Sequence, residues 1–122
     1  MMARDNPLKS KSMAFAVRVV ESARLIREEK REFALADQFL RSGTSIGANI
    51  AEAQYAASQR DFLCKCKIAL KETSETMYWL ELLENCGLLT AEQSDPLKKD
   101  CDELRLMLSS SCKTLEERIN PK

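Results

Sequence analysis

The chain has 122 residues, 44% of them apolar and 31% charged, which is enough for one hydrophobic core and too little for two. Lysine plus arginine equals aspartate plus glutamate at 19 each, so no net field draws the chain as a whole toward nucleic acid or an anionic membrane. Histidine is absent, which excludes Ser-His-Asp triads, Cys-His pairs and the Glu-x-x-His sites of di-iron bundles.

Glycine occurs only at Gly43, Gly47 and Gly87 and proline only at Pro7, Pro96 and Pro121, and no run of alternating β-branched residues argues for a strand. The chain therefore reads as helix nearly throughout, and its organisation lies in the helix ends. Asn6 before Pro7 is an N-cap with proline in the first turn. Leu8, Phe15, Val19 and Ile26 then recur at helical spacing with Ala16 and Ala23 beside them, to about Lys30. No breaker follows. A single helix from Leu8 to Ala57 would be about 75 Å long, however, so a turn is predicted near Arg31. The second helix then carries Ala36, Phe39, Gly43, Ile46, Ile50, Ala53 and Ala57 on one face.

Ser58 with Asp61 three residues on opens the third helix, a near capping box. Phe62, Cys66, Ala69, Leu70, Thr73, Met77, Leu80 and Leu83 face inward until Gly87, which suits a helix C-terminus. Thr90 with Gln93 opens the fourth, where Leu97, Cys101, Leu104, Leu108, Ser111 and Leu115 hold the seam and Pro96 falls within about two turns of the start. Four long helices with tight connections define an all-α, up-down-up-down antiparallel four-helix bundle forming one domain over residues 1–122.

Cys64, Cys66, Cys86, Cys101 and Cys112 lack zinc-type spacing and read as reduced, apolar core residues, with Cys64 and Cys66 on opposite sides of one helix. No metal or other cofactor is expected. MMARDNPLKSKS has no signal-length apolar run, and nothing approaches the roughly 20 apolar residues of a membrane span. The expected location is cytoplasmic, without membrane association.

On the second helix Arg41, Ser45, Asn49 and Glu52 recur every three or four residues beside the apolar seam, and on the third Lys71, Glu72 and Glu75 lie within about one turn of each other. Buried carboxylates need counter-charges, and Arg41 and Lys71 are the natural ones for Glu52 and Glu75. The strip reads first as a network fixing helix register or a subunit contact. Its alternatives are a ligand or RNA site and, last, acid/base catalysis. Gly43 and Gly47 read as close helix packing, Tyr78 and Trp79 as core or interface in preference to base stacking, and Arg27–Glu32 as a solvated helix end.

Apolar residues flanking both seams, Met13, Val17, Leu25, Leu40, Leu63, Leu82, Leu106 and Met107, exceed what one slim interior hides, and self-association is expected. Basic residues concentrate in the first helix region. There Arg4, Lys9, Lys11, Arg18, Arg24, Arg27, Lys30 and Arg31 outnumber Asp5, Glu21, Glu28, Glu29 and Glu32. A ring of subunits would repeat that helix into a positive rim, which makes Lys9, Lys11 and Arg18 the candidate RNA contacts.

Three stretches also carry a resemblance: SGTSIGANIAEA from Ser42 to Ala53, Ser58-x-x-Asp61-Phe62, and the run from Lys67 to Leu83 that contains KIALKE and YWLELL. They resemble the bacterial four-helix bundle family first named for open reading frames in intervening sequences of the large-subunit ribosomal RNA gene. The resemblance implies a short antiparallel bundle assembled as a ring-like homopentamer, with no catalytic activity. A related branch, the accessory variability protein of diversity-generating retroelements, is a basic pentamer that binds a reverse transcriptase and its RNA. This chain is neutral where that branch is basic.

The function expected is thus a non-enzymatic oligomeric scaffold, an accessory of an RNA or reverse-transcriptase ribonucleoprotein. Its alternative is a small-molecule-binding bundle that uses the polar strip between helices two and three. An enzyme with carboxylate chemistry stands last, since no nucleophile has an adjacent base and no loop is built to cradle phosphate.

Overall fold

A computed structural model describes residues 6–121. Its four helices are α1 (Pro7–Glu29), α2 (Ala34–Ala53), α3 (Gln59–Asn85) and α4 (Ala91–Ile119). Arg4 and Asp5, counted above in the basic segment, lie outside the described residues.

Each boundary has a local cause. The Asn6 side chain accepts a hydrogen bond from the Lys9 backbone N–H at 3.3 Å, and Pro7 occupies a first-turn position where its missing N–H costs nothing. The turn expected near Arg31 sits there: Arg31 adopts a left-handed φ of 57° and ends α1 without glycine. Its neighbour Phe33 lies exposed beneath two guanidinium groups, Arg27 at 5.2 Å and Arg31 at 5.8 Å from the ring centroid. The charged segment is therefore an organised corner, more than the solvated end its composition suggests. At the start of α2, Glu32 Oε2 accepts from the Leu35 N–H at 3.1 Å, doing the work of a cap that Phe33 cannot supply.

Ser58 Oγ accepts from the Asp61 N–H at 3.1 Å, and Thr90 and Gln93 form a reciprocal capping box at 3.1 and 2.9 Å. Gly87, at φ 76°, closes α3 in a Schellman arrangement: its N–H reaches Glu84 O at 3.0 Å and the Leu88 N–H reaches Leu83 O at 2.9 Å. Leu89 is then delivered into the core.

Each helix packs on two neighbours, α1 on α2 and α4, α3 on α2 and α4, while the backbones of the diagonal pairs stay apart. With short connections this is the up-down-up-down bundle, and no strand occurs among the described residues. The interior is built from Phe15, Val19 and Ile26, Phe39, Ile46 and Ile50, Leu80 and Leu83, and Leu97, Leu104 and Leu108, all essentially without solvent exposure. The α1–α2 contact is close because Gly43 lies against Val19 and Gly47 against Ser12. The α1–α4 contact is the sparsest and is spanned by ion pairs from Lys11 to Glu103 and from Arg18 to Asp100.

Some inward assignments shift. Ala57 is exposed, because α2 stops at Ala53 and the chain turns to reach the Ser58 cap; the Ala57 N–H is held by Asp61 Oδ2 at 3.1 Å. Leu70, Met77 and Ser111 are only half-buried, while Thr76, Ser94 and Cys112 are buried in their place. Thr76 and Ser42 are both fully buried and meet at 3.1 Å between their hydroxyl oxygens, so one polar contact crosses the α2–α3 core.

Candidate functional site

The polar strip on α2 and α3 is partly brought together. Arg41 bonds Glu75 through Nη2 and lies 3.5 Å from Glu72 through Nη1, and the Trp79 indole N–H donates to Glu75 Oε2 at 3.0 Å. Glu75 thus ties a cation on α2 to the indole one turn along its own helix. The second oxygen of Glu72, Oε1, is buried without a hydrogen-bond partner among the described residues. Trp79 is half-buried and packs edge-on against Tyr78, whose ring is 58% exposed.

The remaining members go elsewhere. Glu52 is not beside the seam: its side chain is 60% exposed and pairs with Lys65 at 3.1 Å, because it sits in the last turn of α2, where the helix is about to leave the bundle. This corrects the pairing of Glu52 with Arg41 or Lys71. Lys71 is exposed on the outer face of α3, and Arg41 alone serves the two acids. Ser45 donates to Arg41 O at 2.6 Å and the Asn49 amide to Ser45 O at 2.9 Å, so both side chains turn back onto their own helix. What results is an ion-paired contact between two helices, with the Trp79 indole bonded into it.

The basic residues of α1 divide in the same way. Lys11 meets Glu103 at 2.7 Å and Arg18 meets Asp100, both across the α1–α4 seam, whereas Lys9 is exposed at the first turn. Two of the three candidate RNA contacts are already neutralised by the neighbouring helix. Between α3 and α4, Lys98 donates to Glu84 at 2.7 Å, which holds the Glu84 carboxyl below and the Lys98 ammonium above their ordinary ranges.

The cysteines separate into two sets. Burial pushes the Cys66 thiol up to about 11 and the Cys101 thiol up to about 12, and raises Cys112 as well; Cys101 Sγ also lies 3.4 Å from Thr73 O. Cys64 and Cys86 are exposed, contrary to a core role for all five. No group of acidic, histidine or cysteine side chains among the described residues is arranged to hold a metal.

Charge spacing alone does not reveal the outer face shared by α1 and α2. Met13 is 64% exposed, Val17 51% and Val20 37%, and these three lie at one-turn intervals on α1. Half-buried Leu40 and exposed Ala48 and Ala51 lie on α2 beside them. The signal available in the sequence is the run of apolar residues just outside the α1 seam, in which Val20 joins Met13 and Val17 one turn further on.

The fold and these contacts define a short antiparallel four-helix bundle held by an apolar core and inter-helix ion pairs. Residues 4–110 match the family described as 23S rRNA-intervening sequence protein, and the chain belongs to that family. It is also similar, at 48% identity and a TM-score of 0.86, to a crystal structure from Bacteroides thetaiotaomicron described as a protein with unknown function from the S23 ribosomal protein family; the likeness covers 87% of this chain and 98% of that one. No curated protein matches the chain. No helix among the described residues is long and apolar enough to cross a membrane.

Proposed function

We propose that this protein is a non-enzymatic scaffold that works as a homo-oligomer, in the ring-like form that the family resemblance implies. The observation that carries the reading is the exposed row of Met13, Val17 and Val20, apolar surface that a lone bundle leaves in water. The pairing of Arg41 with Glu72 and Glu75 supports it from the other side, since these three charges are engaged in joining α2 to α3. A small-molecule site there would have to break those pairs. The accessory role toward an RNA or ribonucleoprotein is served better by protein contacts than by phosphate contacts, because Lys11 and Arg18 are spent within the bundle.

Native mass spectrometry of the purified protein tests the reading. Ions at integer multiples of the 13.8 kDa chain are expected, and monomer alone at micromolar concentration would overturn it. A thermal-shift screen against metabolites separates the alternative, since a compound that binds only the folded bundle raises its melting temperature. A compound that stabilises wild type but not Arg41→Ala would move the function to the α2–α3 strip.

A further inference from the structure

We infer that the uncharged outer face shared by α1 and α2 is the surface on which a second copy of this chain packs; the inference rests on the scaffold reading above and names its interface. Between Lys9 and Arg24, the cations of α1, Lys11 and Arg18, turn toward α4, and Glu21 stands at the rim. Between Asp37 and Glu52, the one charge of α2 is Arg41, and it turns toward α3. What these two helices leave outward is Met13, Val17 and Val20 beside Leu40, Ala48 and Ala51. Three strongly apolar side chains in one exposed row occur on this face, whereas the exposed Ile68, Tyr78 and Leu106 of α3 and α4 stand apart from one another. The outer face of α3 carries Arg60, Lys67 and Lys71, and on α4 Asp102 and Glu103 lie one turn from Leu106.

Size and charge point to a second copy as the occupant. The uncharged outer stretch of α1 between Lys9 and Arg24 is about 20 Å long and two adjacent helices are roughly 20 Å wide, or about 400 Å². The charged ends of the 23-residue helix extend the face to about 700 Å². That approaches the ~800 Å² per partner of a stable protein–protein contact, with an uncharged centre and a charged rim in the arrangement such contacts have. Ala48 and Ala51 are small, and the depression lined by Val20, Ala23 and Leu40 is open to solvent, so the face is shallower than the groove that a single peptide helix would need. The chain carries no net charge at neutral pH, so copies meet without mutual repulsion.

The test is sedimentation velocity on wild type, Val17→Glu and Leu106→Glu over a micromolar dilution series, with circular-dichroism melts to verify folding. Val17 is 51% and Leu106 55% exposed, so neither change disturbs the core. A carboxylate at position 17 should weaken self-association at least tenfold, leaving a species near 13.8 kDa where wild type is assembled, while Leu106→Glu assembles as wild type does. Should Val17→Glu fail to fold, the uncharged double variant Met13→Gln with Val17→Thr gives the same reading. Wild type assembled and either face variant assembled equally well would overturn the assignment of the face and leave the scaffold reading standing. Wild type that is monomeric throughout would overturn both.

Discussion

Gly43 of α2 lies so close to Val19 of α1 that a β-carbon on it would fall 2.7 Å from Val19 Cγ1 and 2.9 Å from Cγ2. Both valine methyls are implicated, and a β-branched side chain in a helix has one strongly preferred rotamer, so Val19 cannot turn aside. Gly43→Ala should therefore cost about 1 to 3 kcal/mol of overpacking, more than the ~1 kcal/mol that alanine gains in helix propensity. At Gly47 the nearest neighbour, Ser12, stands off at 3.4 Å, and Gly47→Ala should be neutral or stabilising by up to ~1 kcal/mol. Urea denaturation of the two variants checks the contrast. Equal effects at both positions would refute it, and adding Val19→Ala should restore part of what Gly43→Ala loses.

Glu75 and Glu52 should separate as sharply. Glu75→Ala removes one of the two acids that Arg41 reaches and the acceptor of the Trp79 indole, at a cost of roughly 1 to 2 kcal/mol, and should shift the emission of Trp79, the one tryptophan in the chain. Glu52→Ala breaks a single exposed pair with Lys65, for about 0 to 1 kcal/mol. A larger loss at Glu52 than at Glu75 would place the α2–α3 contact elsewhere.

Much of this was legible in the sequence, for reasons that differ by level. The caps at Asn6, Ser58 and Thr90 and the close at Gly87 are local chemistry, readable from a few neighbouring residues, and the structure uses each of them. The turn at Arg31 was inferred from length alone, because its residues carry no breaker and its stability comes from Glu32 and from the cations over Phe33. Partner choice was not legible. Spacing put Glu52 and Glu75 on similar ground, but which cation each reaches depends on how far α2 runs before it leaves the bundle, and Lys65 lies nearer Glu52 than any partner expected. The pairing of Lys11 and Arg18 with α4 was hidden for the same reason, since it links residues about 80 to 90 positions apart.

Two thiol classes should appear in solution. Cys64 and Cys86 should react with a thiol reagent at pH 8, while Cys66, Cys101 and Cys112 wait for unfolding. The buried thiols also set a pH dependence. Their folded values, about 11 for Cys66 and about 12 for Cys101, lie above the ordinary 9.0, so the folded state retains protons that the unfolded state gives up. That contribution is full below pH 9.0 and is lost as pH rises toward the folded values, at up to about 1.4 kcal/mol per pH unit for each thiol. Denaturation midpoints at pH 8 and pH 10 check it, because wild type should lose more than the Cys66→Ala, Cys101→Ala variant. Equal losses would contradict the assignment.

Ion pairing governs the expected behaviour with RNA. Any retention of structured RNA in a filter assay should fall to background between about 50 and 200 mM salt. Glutamine at Lys9, Lys11 and Arg18 should change it little, because the latter two are neutralised by Glu103 and Asp100. The same variant should loosen the α1–α4 seam and lower the melting temperature slightly. Loss of the low-salt RNA binding in that variant would mean that the pairs open on RNA.

The central claim, that this bundle acts as an assembly of its own copies, is tested most directly by light scattering coupled to size exclusion on the wild-type chain at micromolar concentration. A single peak with a mass several times 13.8 kDa, constant across the peak, is the predicted result. A peak at 13.8 kDa that does not shift with concentration would contradict it and leave Met13, Val17 and Val20 exposed on a solitary bundle.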